Sequence, residues 1–230
     1  MKKINKFCLA VAVMLTGFSF GSAAQNLQLH YDLGRNCATT TAEMFRPDAG
    51  GSTFFFIDLD YGPKMFGAYT EIAREFNFWQ DSKVNWLSVH VEYNGGLSGG
   101  YSFNNCWLGG LTYSGHSKDW SKTWSISAMY KAIPGAMTPK GIKQPHNFQL
   151  TGVWNLDFFN HWISFNGFAD FWREGVCIFL SEPQLWVNLK NIKGWENVNL
   201  SLGTEVEISY NFVPGKKFAC MPTIGAKYSF

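Results

Sequence analysis

In the segment "VNWLSVHVEYN" a serine, a histidine and an acid, Ser88, His90 and Glu92, stand two residues apart. A serine nucleophile, an imidazole base and an acid to orient it are the parts of a hydrolase. In extended chain, residues two apart share a face and lie about 6.6 Å from one another, too far for a direct Ser–His hydrogen bond. Hydrolysis by this trio therefore needs partners from neighbouring strands. The same alternation carries a second kind of chemistry. Phe54, Phe56, Asp58 and Asp60 alternate along one stretch, Tyr69, Glu71, Ala73 and Glu75 along the next, and Trp86 precedes Ser88, His90 and Glu92 on a third. Later come Asn166, Phe168, Asp170 and Trp172, then Gln184, Trp186 and Asn188. Carboxylates and amides bind hydroxyls, and aromatic faces stack on flat rings, so such a lining suits binding of a small polar solute. No Rossmann, P-loop, zinc or EF-hand spacing occurs, and neither a cofactor nor a metal site is expected.

The elements that must position these residues are strands. In "NLSLGTEVEISY" Leu200, Leu202, Thr204, Val206, Ile208 and Tyr210 oppose Asn199, Ser201, Glu205, Glu207 and Ser209. In "NFQLTGVWNLD" Phe148, Leu150, Gly152, Trp154 and Leu156 oppose Asn147, Gln149, Thr151, Asn155 and Asp157. This period of two, with one apolar and one polar face, predicts strands near 52–61, 66–78, 84–94, 104–114, 120–131, 146–157, 161–173, 183–190, 198–210 and 217–230. "LQLHYDL" and the Thr-rich "CATTTAEMF", closed by the turn "RPDAGG", add two more. The last strand places Pro222, Ile224, Ala226, Tyr228 and Phe230 on one face and Met221, Thr223, Gly225, Lys227 and Ser229 on the other.

Compartment is read from the other end. "MKKINKFCLAVAVMLTGFSFGSAAQ" has a basic start, an apolar run from about Phe7 to Phe20, and Ser22 and Ala24 at the −3 and −1 places of a cut before Gln25. Residues 1–24 read as a secretory signal peptide and 25–230 as the functional domain. Lys and Arg number 19 and Asp and Glu 17; without Lys2, Lys3 and Lys6 the balance becomes about −1. Nothing in that charge points to nucleic acid. Beyond the leader no apolar stretch reaches about 18 residues, which excludes a helical membrane protein.

Two architectures use such strands. In a soluble sandwich the apolar faces meet each other; in an outer-membrane barrel they meet lipid, and the polar faces line a wet interior. Ten Trp, nine Tyr and 21 Phe are more rings than one soluble core takes. Trp120, Trp124, Tyr130, Trp154, Tyr210, Tyr228 and Phe230 fall at or near the ends of apolar faces, where interfacial girdles belong. The fold expected is all-β, a closed antiparallel transmembrane barrel of about twelve strands. The even count puts both termini on the periplasmic side, with 94–104 and 132–145 as external loops and "HSKD" and "WQDSK" as periplasmic turns. A final aromatic strand would close the barrel and serve as the signal for the barrel-assembly machinery.

Three features strain this scheme. Arg74 shares the parity of Thr70, Ile72 and Phe76, so it either snorkels to a rim or sits at a bulge. Pro183 marks a strand start or a bulge. Of the cysteines beyond the leader, Cys37, Cys106, Cys177 and Cys220, the last is on the lipid-facing parity, while Cys37 and Cys177 fall by loops of one end and are a candidate pair.

The stretches "TTTAEMFRPDAGGSTFFFIDLDYG", "AYTEIAREFNF", "FNGFADFW" and "FLSEPQLWVNL", taken in order, resemble the Tsx-like family of nucleoside-specific channel-forming outer-membrane proteins. The resemblance implies a monomeric twelve-stranded barrel with a narrow lumen passing nucleosides. Phe54, Phe56, Asp58, Asp60, Glu71, Trp86, Glu92 and Trp186 are the residues expected to line such a path. The alternatives are a barrel whose lumen is plugged by its own side chains and a lipid-directed hydrolase built on Ser88, His90 and Glu92. Detergent-folded protein should give a β-rich circular dichroism spectrum and migrate faster unboiled than boiled on a gel. A helix-dominated spectrum contradicts the barrel.

Overall fold

The computed structural model describes residues 24–230 apart from Gly100. The expected signal peptide lies outside the described residues but for its last residue, Ala24. Twelve strands form the wall: β1 (Ala24–Asp32), β2 (Cys37–Asp48), β3 (Gly51–Tyr61), β4 (Met65–Phe76), β5 (Leu87–Ser98), β6 (Cys106–His116), β7 (Lys122–Ala132), β8 (His146–Phe158), β9 (Ile163–Glu174), β10 in two halves (Val176–Ser181 and Gln184–Asn188), β11 (Leu200–Tyr210) and β12 (Phe218–Ser229). Each pairs antiparallel with its neighbours in sequence. β12 also pairs β1, from Asn26↔Ser229 to Asp32↔Thr223, and the ring is closed. Among the described residues no helix is long and apolar enough to cross a membrane.

The parity seen in the sequence is the parity of the wall. In β1, Gln28, His30 and Asp32 are buried and Leu29 and Tyr31 exposed; in β12, Met221 and Thr223 are buried and Ile224, Tyr228 and Phe230 exposed. The outer face is thus the apolar one, as lipid requires and water does not. Its rings collect toward the two ends. β7 reads Trp124, Ile126, Tyr130 along its exposed face, and β12 reads Phe218, Ile224, Tyr228. Aliphatic residues take the middle, where a bilayer is driest.

Arg74 is explained by the first of its two expected alternatives. It lies on the outer face but reaches the end of the barrel that holds both termini, where its Nη1 and Nη2 donate to both carboxylate oxygens of Asp48 (2.5 and 2.8 Å). Nη1 also donates to Thr53 Oγ1 at 3.1 Å, and the guanidinium lies 5.4 Å from the Phe76 ring centre. The long side chain carries its charge to the rim while its stem stays on the apolar wall.

Two strand boundaries differ from expectation, each for a backbone reason. β5 continues through "NGG", read as loop, to Ser98. A Cβ on Gly96 would stand 2.3 Å from the Ala68 carbonyl, so the glycine there permits close strand pairing. β10 begins at Val176, not near 183. Pro183 interrupts this strand in mid-course, opposite Gly167, whose φ of 150° and close approach to the Glu182 carbonyl no larger residue would accept. The expected Cys37–Cys177 pair is not formed: all four cysteines are free thiols, Cys37 buried on the inner face of β2 and Cys177 exposed on the outer face of β10.

At the end holding the termini the strands are joined by turns at 49–50, 117–121 and 159–162 and by longer segments at 77–86 and 189–199. In the β6–β7 turn the exposed Asp119 carboxylate accepts from the Ser117 and Ser121 hydroxyls and the Ser121 N–H, which hold its pKa down to about 2. At the seam, the Phe230 N–H donates to the Gln25 carbonyl at 3.0 Å, and the Tyr228 and Phe230 rings meet edge-on at 5.1 Å. Deleting Phe230, or changing Tyr228 and Phe230 together to Ser, should cut membrane insertion severalfold. Ser229→Ala on the inner parity should leave it near wild type in a reconstituted insertion assay; equal tolerance of both faces would contradict the seam.

Candidate lumen lining

Interior side chains come from alternate residues of every strand, and the register brings them into neighbouring sets. Across β2, β3 and β4, Thr39 faces Asp60, Thr41 faces Asp58 and Glu43 faces Phe56, which in turn faces Glu71. The Thr39 and Thr41 hydroxyls donate to Asp60 and Asp58 at 2.7 and 2.5 Å. Phe54, Phe56 and Tyr69 form a ladder of rings, with centroids 5.9 Å apart at each step. The Tyr69 hydroxyl donates to Glu71 at 2.7 Å. Phe54, Phe56, Asp58, Asp60 and Glu71 all line the inside and remain partly accessible. β11 adds two carboxylates from farther round the barrel: Glu205 accepts from Gln184 Nε2 of β10 at 2.6 Å, and Glu207 from the Ser209 hydroxyl at 2.9 Å.

Glu92 belongs to a tighter group. His90 places Nδ1 2.6 Å from Glu75 Oε1 and Nε2 2.9 Å from Glu92 Oε2. Ser88 donates to Glu75 rather than to His90, and Thr112 donates to the same carboxylate at 2.9 Å. Asn94 Nδ2 bridges Glu92 (2.9 Å) and Glu71 (3.1 Å), joining this group to the β3–β4 wall. Both imidazole nitrogens lie on carboxylates, so Ser88 and His90 form no nucleophile–base pair. Among the described residues no group of three or more His, Cys, Asp or Glu is arranged to hold a metal.

Trp186 is wholly buried, 0% exposed, against the opposite wall. Its Nε1–H donates to Gln184 Oε1 at 2.9 Å, Lys227 Nζ lies 4.5 Å from its ring centre, and the His30 ring meets it edge-on at 5.6 Å. The indole lies over Gly203 and Gly225, where a Cβ would stand 2.7 and 3.2 Å from its ring. Two glycines thus let a large ring lie flat on the wall, and a cation covers it.

Trp86 departs from expectation. It precedes β5, is 42% exposed, and packs against Tyr113 at 5.3 Å on the outer face. The strand starts at Leu87, three residues later than the expected 84, and a ring at that rim gains more from the interfacial belt than from the lumen.

At the end opposite the termini, Arg35 in the β1–β2 turn donates through Nε to Asp32 at 2.5 Å. Burial opposes its charge, but the Asp32 carboxylate outweighs that and holds its pKa above the usual arginine value. Asp32 also accepts the N–H groups of Gly34 and Arg35, both at 2.7 Å.

A profile described as a domain of unknown function, DUF5020, matches residues 24–230. The chain belongs to the DUF5020 family. Comparison with curated proteins finds no match. Among solved structures, the DUF5020 barrel is similar to the NanC porin in its rhombohedral crystal form, with TM-score 0.58 and 9% identity over 90% of this chain and 98% of that one. It is also similar to the KdgM porin in complex with disordered oligogalacturonate, with TM-score 0.51 and 11% identity over 90% of this chain and 99% of that one. At such identities the likeness is one of fold.

The DUF5020 interior also holds His30, Lys131 and Glu182, along with Glu205 and Glu207, which the sequence marked only as polar parity. Alternation locates them on the inner face, but which strand they meet across the barrel depends on closure. Removing the imidazole tests the tighter group. His90→Leu leaves Glu75 and Glu92 without their shared partner and should destabilise the DUF5020 barrel by about 3 kcal/mol. The readout is urea unfolding in detergent, and His90→Leu with Glu75→Gln should cost less than the sum of the two alone.

Proposed function

We propose that this chain is an outer-membrane channel for small uncharged or cationic polar solutes, and that nucleosides are the class its lining suits best. In this reading the leader is cleaved near Ala24, both termini are periplasmic, and a monomer is inserted by the barrel-assembly machinery through β12. The observation that carries it is the wall of β2, β3 and β4, where partly accessible rings of Phe54, Phe56 and Tyr69 alternate with Asp58, Asp60 and Glu71. Rings offer a stacking face to a base, and carboxylates accept hydrogen bonds from ribose hydroxyls. The same carboxylates, with Glu205 and Glu207 opposite, repel anions. A polyanion such as the oligogalacturonate bound by the KdgM porin is therefore a poor fit to this interior. The nucleoside reading itself draws on the Tsx-like resemblance of the β2–β3 hairpin, "TTTAEMFRPDAGGSTFFFIDLDYG".

Accessibility supports an open path. Val153 and Asn155 are on the inward parity of β8, opposite Phe168 and Asn166, yet Val153 is 43% exposed. A packed barrel core would bury it. A plugged lumen is the competing reading, and tight packing around Lys131 favours it: its Nζ donates to Gln149 at 2.6 Å and sits 4.6 Å over Trp172.

Planar-bilayer recording separates the two. Wild type should conduct, prefer cations in a salt gradient, and be blocked by millimolar nucleosides. Phe56→Ala should weaken that block about tenfold, since stacking contributes roughly 1–3 kcal/mol per base, and Asp58→Asn should weaken it without lowering barrel yield. Conductance insensitive to nucleosides makes it a general pore. Absence of conductance favours the plug.

A further inference from the structure

Residues 133–145, which join β7 to β8 at the end opposite the termini, do not extend away from the barrel. Ile133 continues the inward series of Ser127, Met129 and Lys131, and it is 0% exposed; Ala136 is also buried. The segment is held in shape by its own backbone, with N–H to carbonyl bonds from Ile133 to Pro145 (2.8 Å), Gln144 to Ala136 (2.9 Å) and Thr138 to Ile142 (2.8 Å). It touches the rim on both sides. A Cβ on Gly135 would stand 2.0 Å from Asn104 Oδ1 in the β5–β6 connection, and one on Gly175, in the β9–β10 turn, 2.7 Å from the Met137 carbonyl. With the Gln144 amide assigned so that its oxygen faces Arg173, that oxygen accepts from Arg173 Nε and Nη2, both at 2.9 Å, and Asn147 Nδ2 donates to the Gln144 carbonyl at 2.8 Å.

We propose that this segment is a strap across the mouth, and that Ile133 is the residue that sets the size of solute admitted. The inference rests on the channel reading above. Two opposed terms act on the strap. Burial of Ile133 and Ala136 favours the position seen. Against it, Asn147 Oδ1, on the side chain that holds the Gln144 carbonyl of the strap, is buried without a hydrogen-bond partner. Lifting the strap opens that amide to water, and a buried polar group without a partner is costly. Gln144 joins the strap to Arg173 and Asn147 of the wall, and among the described residues no disulfide or ion pair ties it to the rim. A strap held in this way can be displaced as a unit.

The test compares wild type, Ile133→Ala, and a variant with residues 135–143 replaced by a two-residue turn, each checked for folding by heat-dependent gel migration. Single-channel conductance and the largest neutral polyethylene glycol that enters the pore are measured for all three. Ile133→Ala should raise conductance about twofold, the shortened strap should raise it at least as much, and both should admit larger polymers. Wild-type conductance that neither change alters overturns the strap while leaving the channel reading intact. Silence from all three, including the shortened variant, overturns both. A silent wild type that conducts once the strap is shortened supports the proposal.

Discussion

A chain in a bilayer must satisfy its backbone hydrogen bonds without water, and a sheet does so only when it has no edge. The pairing of β1 with β12 meets that requirement here, from Asn26↔Ser229 to Asp32↔Thr223. Everything else in the structure depends on this seam. Closure turns twelve two-faced strands into one inside and one outside, so that a residue's parity becomes its solvent. It also brings His30 of β1 against Thr223 of β12, 2.9 Å apart, and sets the His30 ring edge-on to Trp186 of β10 at 5.6 Å.

The outside follows from lipid alone. Rings stand at the two ends and aliphatic side chains between them, and the one arginine on the apolar parity of β4 bends its charge to Asp48 at the rim. The inside is less uniform. Around Lys131, Gln149 and Trp172 the interior is packed, whereas beside Phe54, Asp58, Glu71 and Val153 it stays accessible. The rings and carboxylates that stay accessible lie together on one wall, that of β3 and β4.

The hydrogen-bonded groups have different consequences on the two walls. Glu75, His90, Glu92, Asn94 and Glu71 tie β4 to β5 and leave no imidazole nitrogen for Ser88. Asp58 and Asp60 take a hydroxyl each from β2 and keep acceptor capacity for something else. The first group ties two strands together; in the channel we propose, the second is where a solute finds partners.

Period-two alternation was enough to read the strand type and the inward placement of Phe54, Phe56, Asp58, Asp60, Glu71, Glu92 and Trp186, because side-chain direction in a strand is a local property of the backbone; the rings at the ends of the apolar faces chose the twelve-stranded barrel over a sandwich. Composition was enough to exclude a helical membrane protein. Boundaries at Gly96 and Pro183 were not legible, since each depends on how closely a neighbouring strand approaches. Trp86 was misplaced because a ring at a strand end answers to the interface rather than to parity. The partners of each carboxylate, the burial of Trp186 on two glycines, and the fold of 133–145 over one mouth were decided only by the tertiary structure. They are contacts between side chains of different strands and loops, set by register, by the closing seam and by packing at the rim, none of which the alternation along one strand records.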